Sequence, residues 1–251
     1  MQLWQDAVIV VAGMLAGTIN AVVGSGTLIT FPVLLAFGYP PITANVSNGL
    51  GLVPGSLAGA YGYRRELEGQ RSRLIRLGIA SALGAVCGAV LLLKLPATAF
   101  QAVVPILIVI ALVLVIVQPW LARKLAASRP DRPTDGGVAL LLGIFATGVY
   151  GGYFGAAQGV IAIGLMGVLL SESMQRVNAA KNVLTALANL VSGIVFVFVA
   201  HVAWLAVLLI AGGSLIGGLI GARIGRKLPP SALRAVIVVV GLAAIAKLLL
   251  T

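Results

Sequence analysis

A polar stripe runs along one face of a predicted membrane helix in the second half of the chain. Its members are Asn178, Lys181, Asn182, Thr185 and Asn189. They recur at intervals of three and four residues, which places them on one side of an α-helix. The same helix continues into the apolar run IVFVFVA at 194–200. Because polar groups are costly inside a bilayer, the stripe is expected to face a cavity or other polar groups.

Lys181 admits two interpretations. It lies about six residues into the span, roughly 9 Å from the interface, so its stem could carry the ammonium back to hydrated surroundings. Alternatively, the ammonium stays inside the membrane and binds an anion. The asparagines on the same face favour anion binding, because a lysine that only reaches for the interface does not need them. The sequence leaves both interpretations open.

Further hydrogen-bonding side chains are predicted to join this stripe. An earlier helix carries Asn45 and Asn48 on its corresponding face. Just past two glycine-rich interruptions lie other candidates for the same site: Ser25, Thr27 and Gln158, with Tyr150 beside the second interruption. Tyr150 could equally serve in packing. The predicted site is rich in donors and holds no carboxylate, so it suits a small oxyanion such as a sulfonate, sulfite or carboxylate.

The composition explains why these polar residues stand out. Of 251 residues, 60% are apolar and 9% are charged, and the mean hydropathy is +1.12. Soluble domains have roughly 25% charged residues. Several apolar runs are long enough to cross a bilayer, which takes about 20 helical residues. The sequence therefore predicts an all-α polytopic membrane protein. The net charge of +11 does not indicate nucleic-acid binding, because the basic residues cluster in short loops between apolar spans.

The two halves of the chain resemble each other. Residues 80–103 align with 212–236 at an offset of 133 positions, the same offset that separates Asn45 from Asn178 and Asn48 from Lys181. Several matches at one offset predict an internal duplication. The domains predicted from it are a first transmembrane repeat at 1–120, a cytoplasmic basic linker at 121–136 and a second repeat at 137–251.

Each half begins with an apolar stretch that glycines interrupt, at 6–38 and 137–170. We interpret each as two half-helices that meet at a glycine-rich tip near the middle of the membrane. One glycine-rich span, or two short spans, is the alternative, since glycine is common in membrane helices. Three fuller spans follow in each half: 41–63, 73–93 and 97–120, then 175–200, 202–224 and 230–250.

The basic residues predict the orientation of the chain. All but three of the 17 lysines and arginines fall on one side of the predicted spans, which is expected to be cytoplasmic. With three full spans in each half, the second half starts on the opposite side from the first. The halves would thus be inverted-topology repeats, the construction of many secondary transporters. Both termini are expected outside the inner (plasma) membrane of the cell.

Motifs in both halves of the chain match those of a known family. In the first half they are Gly17, Asn20, Gly24, Gly26, Phe31-Pro32, Ala44-Asn45 and Pro54; in the second they are Gly151-Gly152, Gly155 and the run Arg176–Lys181. They resemble the sulfite exporter TauE/SafE family of membrane permeases, and the resemblance covers nearly the whole chain and respects its repeat. It implies that Asn20, Gly24 and Gly26 belong to the substrate site. One departure is Ala156-Ala157, where many relatives carry glycine-rich sequence.

The resemblance implies a transporter of small organosulfur or related organic anions, such as sulfite, sulfoacetate or other sulfonates. We expect export, by alternating access around a midplane site, with the anion and the lipid bilayer as partners. An anion channel, or a permease for a small carboxylate without sulfur, is the alternative. No cluster of Cys and His residues and no nucleophile–base pair is visible, so we expect no metal, no cofactor and no enzyme. The oligomeric state stays open, a homodimer included.

Overall fold

The computed structural model describes residues 3–127, 136–224 and 230–250. Within these ranges the chain forms ten α-helices and one short 3-10 helix at Arg64–Leu67, with no strand. The α-helices are α1 Leu3–Val22, α2 Thr27–Ala36, α3 Pro41–Gly62, α4 Arg71–Lys94, α5 Ala97–Ala127, α6 Gly137–Tyr153, α7 Gln158–Leu169, α8 Met174–Val199, α9 Trp204–Ile224 and α10 Pro230–Leu250. The all-α polytopic fold predicted from the sequence is confirmed.

Five of the described helices are long and apolar enough to cross a membrane by length and composition. They are α1, α4, α5, α8 and α9. Helix α3 has 22 residues, but Asn45, Ser47 and Asn48 dilute its apolar character. Helices α2 and α7 have only 10 and 12 residues. At about 1.5 Å per residue, neither can span a hydrocarbon core of about 30 Å.

The glycine-rich interruptions are true breaks, as the sequence predicted. Between α1 and α2 the chain is non-helical over 23–26, and between α6 and α7 over 154–157. Gly24 has a φ of 90° and Gly155 a φ of 76°, a left-handed conformation that glycine adopts without steric cost. Each pair of helices folds back on itself. The rings of Trp4 and Phe37 stack edge to face at 5.4 Å, which brings the far ends of α1 and α2 together.

The two broken pairs pack against helices of the opposite half. Helix α1 lies along α9, and α6 lies along α4. Gly213 and Gly217 of α9 approach the backbone of Val10 and Met14 in that order, so α1 and α9 are parallel. In the same way, the contacts of Gly84 and Gly88 show that α4 runs parallel to α6. Glycines at these crossings allow close approach of the backbones.

One pair of serines shows how alike the α4–α8 and α9–α3 contacts are. Ser81 Oγ donates to the carbonyl oxygen of Leu184 at 3.3 Å, and Ser214 Oγ donates to that of Gly51 at 2.7 Å. Donor and acceptor are both related by the offset of 133 positions seen between Asn45 and Asn178. An inverted repeat would produce this pairing. The inverted repeat itself stays a prediction.

Two arginines, from α4 and α8, meet one glutamate at one end of the bundle. Glu172, in the loop between α7 and α8, accepts hydrogen bonds from Arg73 Nη2 at 2.8 Å and from Arg176 Nε at 2.6 Å. Arg176 Nη1 also donates to the carbonyl oxygen of Glu68 at 3.0 Å. This polar cluster therefore joins the start of α4 in the first half to the start of α8 in the second.

The central boundary differs in detail from the predicted one. Helix α5 continues to Ala127 and so enters the segment 121–136 that was predicted as a linker. Its last residues, LARKLAA, are mostly strong helix formers, which favours this continuation. Residues 128–135 lie outside the described part of the chain, as do residues 225–229, where the second copy of the KLP motif falls.

Candidate substrate site at the two helix breaks

The ammonium of Lys181 is bound at the end of α1. Lys181 Nζ donates to the carbonyl oxygen of Asn20 at 2.5 Å, to Oδ1 of Asn182 at 2.7 Å and to the carbonyl oxygen of Ala21 at 3.4 Å. These carbonyls belong to the last turn of α1, where a helix has no internal donors for them. The C-terminal end of a helix also carries partial negative charge, which a cation stabilises.

Lys181 does not reach the surface, because its exposed fraction is 0%. The interpretation in which its stem carries the charge to the interface is therefore wrong. Its three N–H groups match the three acceptors around it. An anion that binds the ammonium must take the place of one of these acceptors, and the Ala21 carbonyl, at 3.4 Å, is the most distant of them.

Two asparagines of α8 support the same end of α1. Asn178 Nδ2 donates to the carbonyl oxygen of Ala21 at 2.9 Å, and Asn182 Nδ2 approaches that oxygen at 3.4 Å. Asn20 turns the other way, and its Nδ2 donates to Ser56 Oγ on α3 at 2.9 Å. The predicted stripe on α8 thus faces the first break rather than lipid.

The first-half counterpart of Lys181 is Asn48, and it binds α2. Asn48 Nδ2 donates to Thr27 Oγ1 at 3.2 Å, and Thr30 Oγ1 donates to Asn48 Oδ1. An amide can both donate and accept, so it joins two threonine hydroxyls. Helix α2 therefore makes a polar contact with α3 at its first turn, whereas α1 makes a polar contact with α8 at its last turn.

The second break is held by Tyr150 and Asn45. Tyr150 Oη donates to the carbonyl oxygen of Ala156 at 2.6 Å, within the break itself. Asn45 Nδ2 donates to the carbonyl oxygen of Tyr153, the last residue of α6, at 3.0 Å. Gln158, at the start of α7, is buried, and its side chain packs against Gly151. Tyr150 and Asn45 thus stabilise backbone that the break leaves without helical partners.

The two breaks touch each other. The amide of Gly159, in the first turn of α7, donates to the carbonyl oxygen of Gly24 at 3.0 Å. The Cα atoms of these glycines are so close that a β-carbon on either would clash. The space beside Gly159 is filled by the stem of Lys181. All twelve residues predicted for the site thus lie at or against the two breaks.

Two buried polar atoms at this junction have no partner among the described residues. Within that part of the chain Ser25 Oγ, in a residue only 1% exposed, makes no hydrogen bond, and neither does Oδ1 of Asn178. Buried polar atoms are normally paired, and leaving one unpaired costs about 1–3 kcal/mol. Ser25 also lies just before α2, whose N-terminal end carries partial positive charge. The hydroxyl is thus a donor available to an anionic ligand.

Comparison with protein families gives a match over nearly the whole chain. A family model described as "Sulfite exporter TauE/SafE" matches residues 9–248. The chain belongs to the sulfite exporter TauE/SafE family. It is therefore a multi-pass membrane transporter, as the resemblance implied. No solved structure matches the chain.

Similar proteins from three bacteria bear names of the same kind. The chain is 27% identical over 237 residues to the "Probable membrane transporter protein YfcA" of Escherichia coli strain K12, covering 94% of this chain and 86% of that one. It is 26% identical over 242 residues to a "Probable membrane transporter protein" of Haemophilus influenzae, covering 96% and 93%. A third, the "Probable membrane transporter protein ORF9" of a Sinorhizobium species, is 26% identical, covering 97% and 92%.

Sequence reasoning missed two residues that this TauE/SafE member uses at the breaks. Thr30 binds Asn48, and it lies three residues after Thr27 on the same side of α2, a spacing that could have revealed it. Gly159 supplies the amide that joins the breaks. It follows the predicted Gln158 directly, but glycine is so common in membrane helices that its presence alone carries no signal. Among the described residues, no group of three or more His, Cys, Asp or Glu side chains could hold a metal ion.

Proposed function

We propose that this chain exports small organosulfur or related organic anions, such as sulfite, sulfoacetate or other sulfonates, by alternating access around the two helix breaks. The observation that carries the proposal is the contact between the breaks, where the Gly159 amide binds the Gly24 carbonyl next to a fully buried lysine. Secondary transporters commonly build substrate sites from broken helices that meet near the middle of the membrane, with half-helix N-termini directed at anionic groups.

The chemistry of the junction favours an oxyanion. Lys181 brings a positive charge, Ser25 a hydroxyl without a partner in the described part of the chain, and α2 the positive end of a helix. The described acidic residues lie elsewhere: Asp6 in the first turn of α1, and Glu66, Glu68 and Glu172 outside the membrane helices. A cation without a carboxylate partner suits a substrate that supplies the negative charge itself.

Binding would exchange one contact of Lys181 for another. In the substrate-free arrangement its ammonium holds the Asn20 and Ala21 carbonyls at the end of α1. An anion oxygen that displaces the Ala21 carbonyl keeps the charge neutralised and removes one of the contacts that hold the end of α1. Because α1 packs along α9 of the other half, such a release would let the two halves move against each other. This link between occupancy and movement is what alternating access requires.

The proposed location is the inner membrane of the cell, with the basic end of the bundle in the cytoplasm. Arg73 and Arg176 meet at Glu172, and other arginines lie at the same end. Lysine and arginine mark cytoplasmic loops. Helix α1 runs parallel to α9, and α6 runs parallel to α4. The two broken helix pairs would therefore enter the membrane from opposite faces, as they do in inverted repeats.

Transport in proteoliposomes tests the proposal. The purified full chain is reconstituted into vesicles loaded with sulfite, sulfoacetate, sulfate or acetate, and efflux is followed over a range of concentrations. We expect saturable efflux of a sulfite or sulfonate anion. Ser25→Ala should raise KM at least about ten-fold, because a hydrogen bond to a charged group contributes about 1.5–3 kcal/mol. Its thermal stability should not fall, since no protein partner loses a bond.

Ser192→Ala is the matched control. Ser192 is also buried, but its hydroxyl donates to the carbonyl of Ala188 within its own helix, so KM should be unchanged. Acetate efflux without any sulfur-anion efflux would favour a carboxylate permease. Efflux that fails to saturate would favour a channel. If Ser25→Ala carries the anion with the KM of the wild type, the junction is not the substrate site.

A further inference from the structure

A cationic cavity opens between the ends of α3 and α9, away from the helix breaks. It has a volume of about 370 Å³. Its lining residues are Tyr61, Gly62, Arg64, Leu219, Ala222 and Arg223. A second cavity of about 270 Å³ adjoins it, sharing four of these residues and adding Arg65 and Glu66. Three arginines from the two halves of the chain therefore surround one continuous recess.

The recess combines charge at its rim with apolar surface below. Arg64 and Arg223 are exposed, and Leu219, one helical turn before Arg223, is 47% exposed. Tyr61 is 63% exposed. Close packing of Gly62 on Ala222 forms the floor between the two helices. Apolar side chains exposed on membrane helices face acyl chains, whereas arginines at the helix ends lie at the level of the headgroups.

Arg64, at the rim of the recess, is held in position. The Arg64 guanidinium lies 4.6 Å from the centroid of the Tyr61 ring, and its Nη1 donates to the Tyr61 carbonyl oxygen at 3.2 Å. A guanidinium has five N–H donors, so this contact leaves others for a ligand. Its planar fork matches the oxygens of a phosphate.

We propose that this recess binds the phosphate headgroup of an anionic phospholipid, with the acyl chains running down over Leu219 and Tyr61. Basic pockets between membrane helices on the cytoplasmic side bind such headgroups. Glu66 lies at the edge of the smaller cavity, but the three arginines outnumber its single carboxylate, so the recess stays cationic. A lipid seated here touches both α3 and α9 and would bind the two halves of the chain together.

Native mass spectrometry of the full chain in detergent tests this inference. The protein is titrated with phosphatidylglycerol, with phosphatidylcholine and with inorganic phosphate. We expect phosphatidylglycerol to be retained in preference to phosphatidylcholine, and millimolar phosphate not to displace it. Arg64→Gln and Arg223→Gln should each weaken phosphatidylglycerol binding about five-fold, since one basic residue near the surface contributes about 1 kcal/mol.

Arg71→Gln is the control, because Arg71 is an exposed arginine at the start of α4 that does not line the recess. It removes the same charge from the same end of the bundle and should leave lipid retention near the wild-type value. Equal losses in Arg71→Gln and Arg64→Gln would overturn the proposal in favour of general charge attraction. Displacement of phosphatidylglycerol by phosphate alone, or equal retention of phosphatidylcholine, would also overturn it. Circular dichroism confirms that each variant compared is folded.

Discussion

Asn45 and Asn178 make the same contact at opposite breaks. Asn178 Nδ2 donates to the Ala21 carbonyl at the end of α1, and Asn45 Nδ2 donates to the Tyr153 carbonyl at the end of α6. The two asparagines occupy matching positions of α8 and α3, and each holds the broken helix of the other half of the chain. Each broken helix is thereby stabilised where its internal hydrogen bonds stop.

This equivalence predicts matched effects of substitution. Asn45→Ala and Asn178→Ala should each lower the free energy of unfolding by about 1 kcal/mol, because each removes a hydrogen bond of about 3 Å to a carbonyl at the end of a broken helix. Thermal unfolding in detergent measures the loss. Asn189→Ala is the control, since Asn189 lies on the same helix but is only half-buried. Loss of stability in one asparagine variant and not in the other would show that the two contacts are not equivalent.

Lys181→Met should both destabilise the protein and abolish substrate binding. The methionine cannot donate to the Asn20 and Ala21 carbonyls or to Asn182 Oδ1, and each acceptor left unpaired costs about 1–3 kcal/mol. The anion would also lose its fixed countercharge. The checks are the melting temperature and its rise on adding substrate, which reports binding to the folded state.

Lys181→Arg separates charge from shape at the same position. It keeps the positive charge, but the stem of Lys181 already fills the space against Gly159, and a guanidinium is larger than an ammonium. We expect a folded protein with a reduced transport rate. If Lys181→Met remains folded and transports at the wild-type rate, the lysine serves only to cap α1.

The helix crossings predict a second matched pair. A β-carbon added at Gly17 would clash with the backbone oxygen of Ser214, and one added at Gly148 would clash with that of Ser81. Gly17→Ala and Gly148→Ala should therefore each cost about 1–3 kcal/mol of stability through overpacking. Gly212→Ala is the control, because nothing lies within 4 Å of the added carbon. Equal melting temperatures for all three variants would contradict the close α1–α9 and α4–α6 packing.

The polar cluster around Glu172 predicts a pH-dependent contribution to stability. Burial raises the pKa of Glu172, but hydrogen bonds and charges from Arg73 and Arg176 outweigh this, so its pKa lies below the ordinary value of 4.5. A depressed carboxyl pKa stabilises the folded state above the unfolded pKa. That contribution is present above about pH 4.5 and disappears as the pH falls through the folded pKa.

Glu172→Gln should consequently lower the melting temperature at pH 7 and flatten its fall below pH 4.5. Thermal unfolding of wild type and variant over this range measures the difference. Glu68→Gln is the control, because the side chain of Glu68 is exposed and its contact with Arg176 uses the backbone oxygen. A melting curve of Glu172→Gln that follows wild type at every pH would contradict the role of the cluster.

The breaks could be predicted from the sequence because their causes are local. Glycine at Gly24 and Gly155 permits a left-handed φ, and the segments that follow are too short to span a bilayer. The position of Lys181 inside a span was equally visible. Its partners were not, because they are backbone carbonyls of Asn20 and Ala21 on a distant helix, and every residue carries a carbonyl. Periodicity indicates which face is polar but not what that face meets.

The ion pairs at the basic end show the same limit. The chain has 17 lysines and arginines, and no spacing rule selects Arg73 as a partner of Glu172. Arg73 lies in the other half of the chain. Only the parallel packing of α4 with α6, and the turn that carries the chain from α7 into α8, brings these two side chains within 2.8 Å. The charge count predicts an orientation, which stays a prediction, whereas the pairing of these side chains depends on tertiary structure.

Transport should be driven by the membrane potential without a coupled ion. Symporters driven by protons or sodium commonly carry a titratable carboxylate in the membrane interior. Among the described residues, Lys181 is the only charged side chain that is buried. An anion that leaves a negative interior gains about 2.3 kcal/mol per charge per 100 mV, equivalent to a roughly fifty-fold outward gradient.

Proteoliposomes loaded with substrate provide the measurement for this last prediction. Potassium and valinomycin set the potential, while pH and sodium are varied separately. Efflux of a monovalent anion should speed up when the interior is made negative, because the charge then moves down the field. It should not respond to a pH or sodium gradient at fixed potential. Arginines at the basic end would add to the rate by concentrating anions there, an effect that 0.5 M salt should reduce through screening. Uphill accumulation of the anion driven by a proton or sodium gradient alone would show that the transporter couples to that ion.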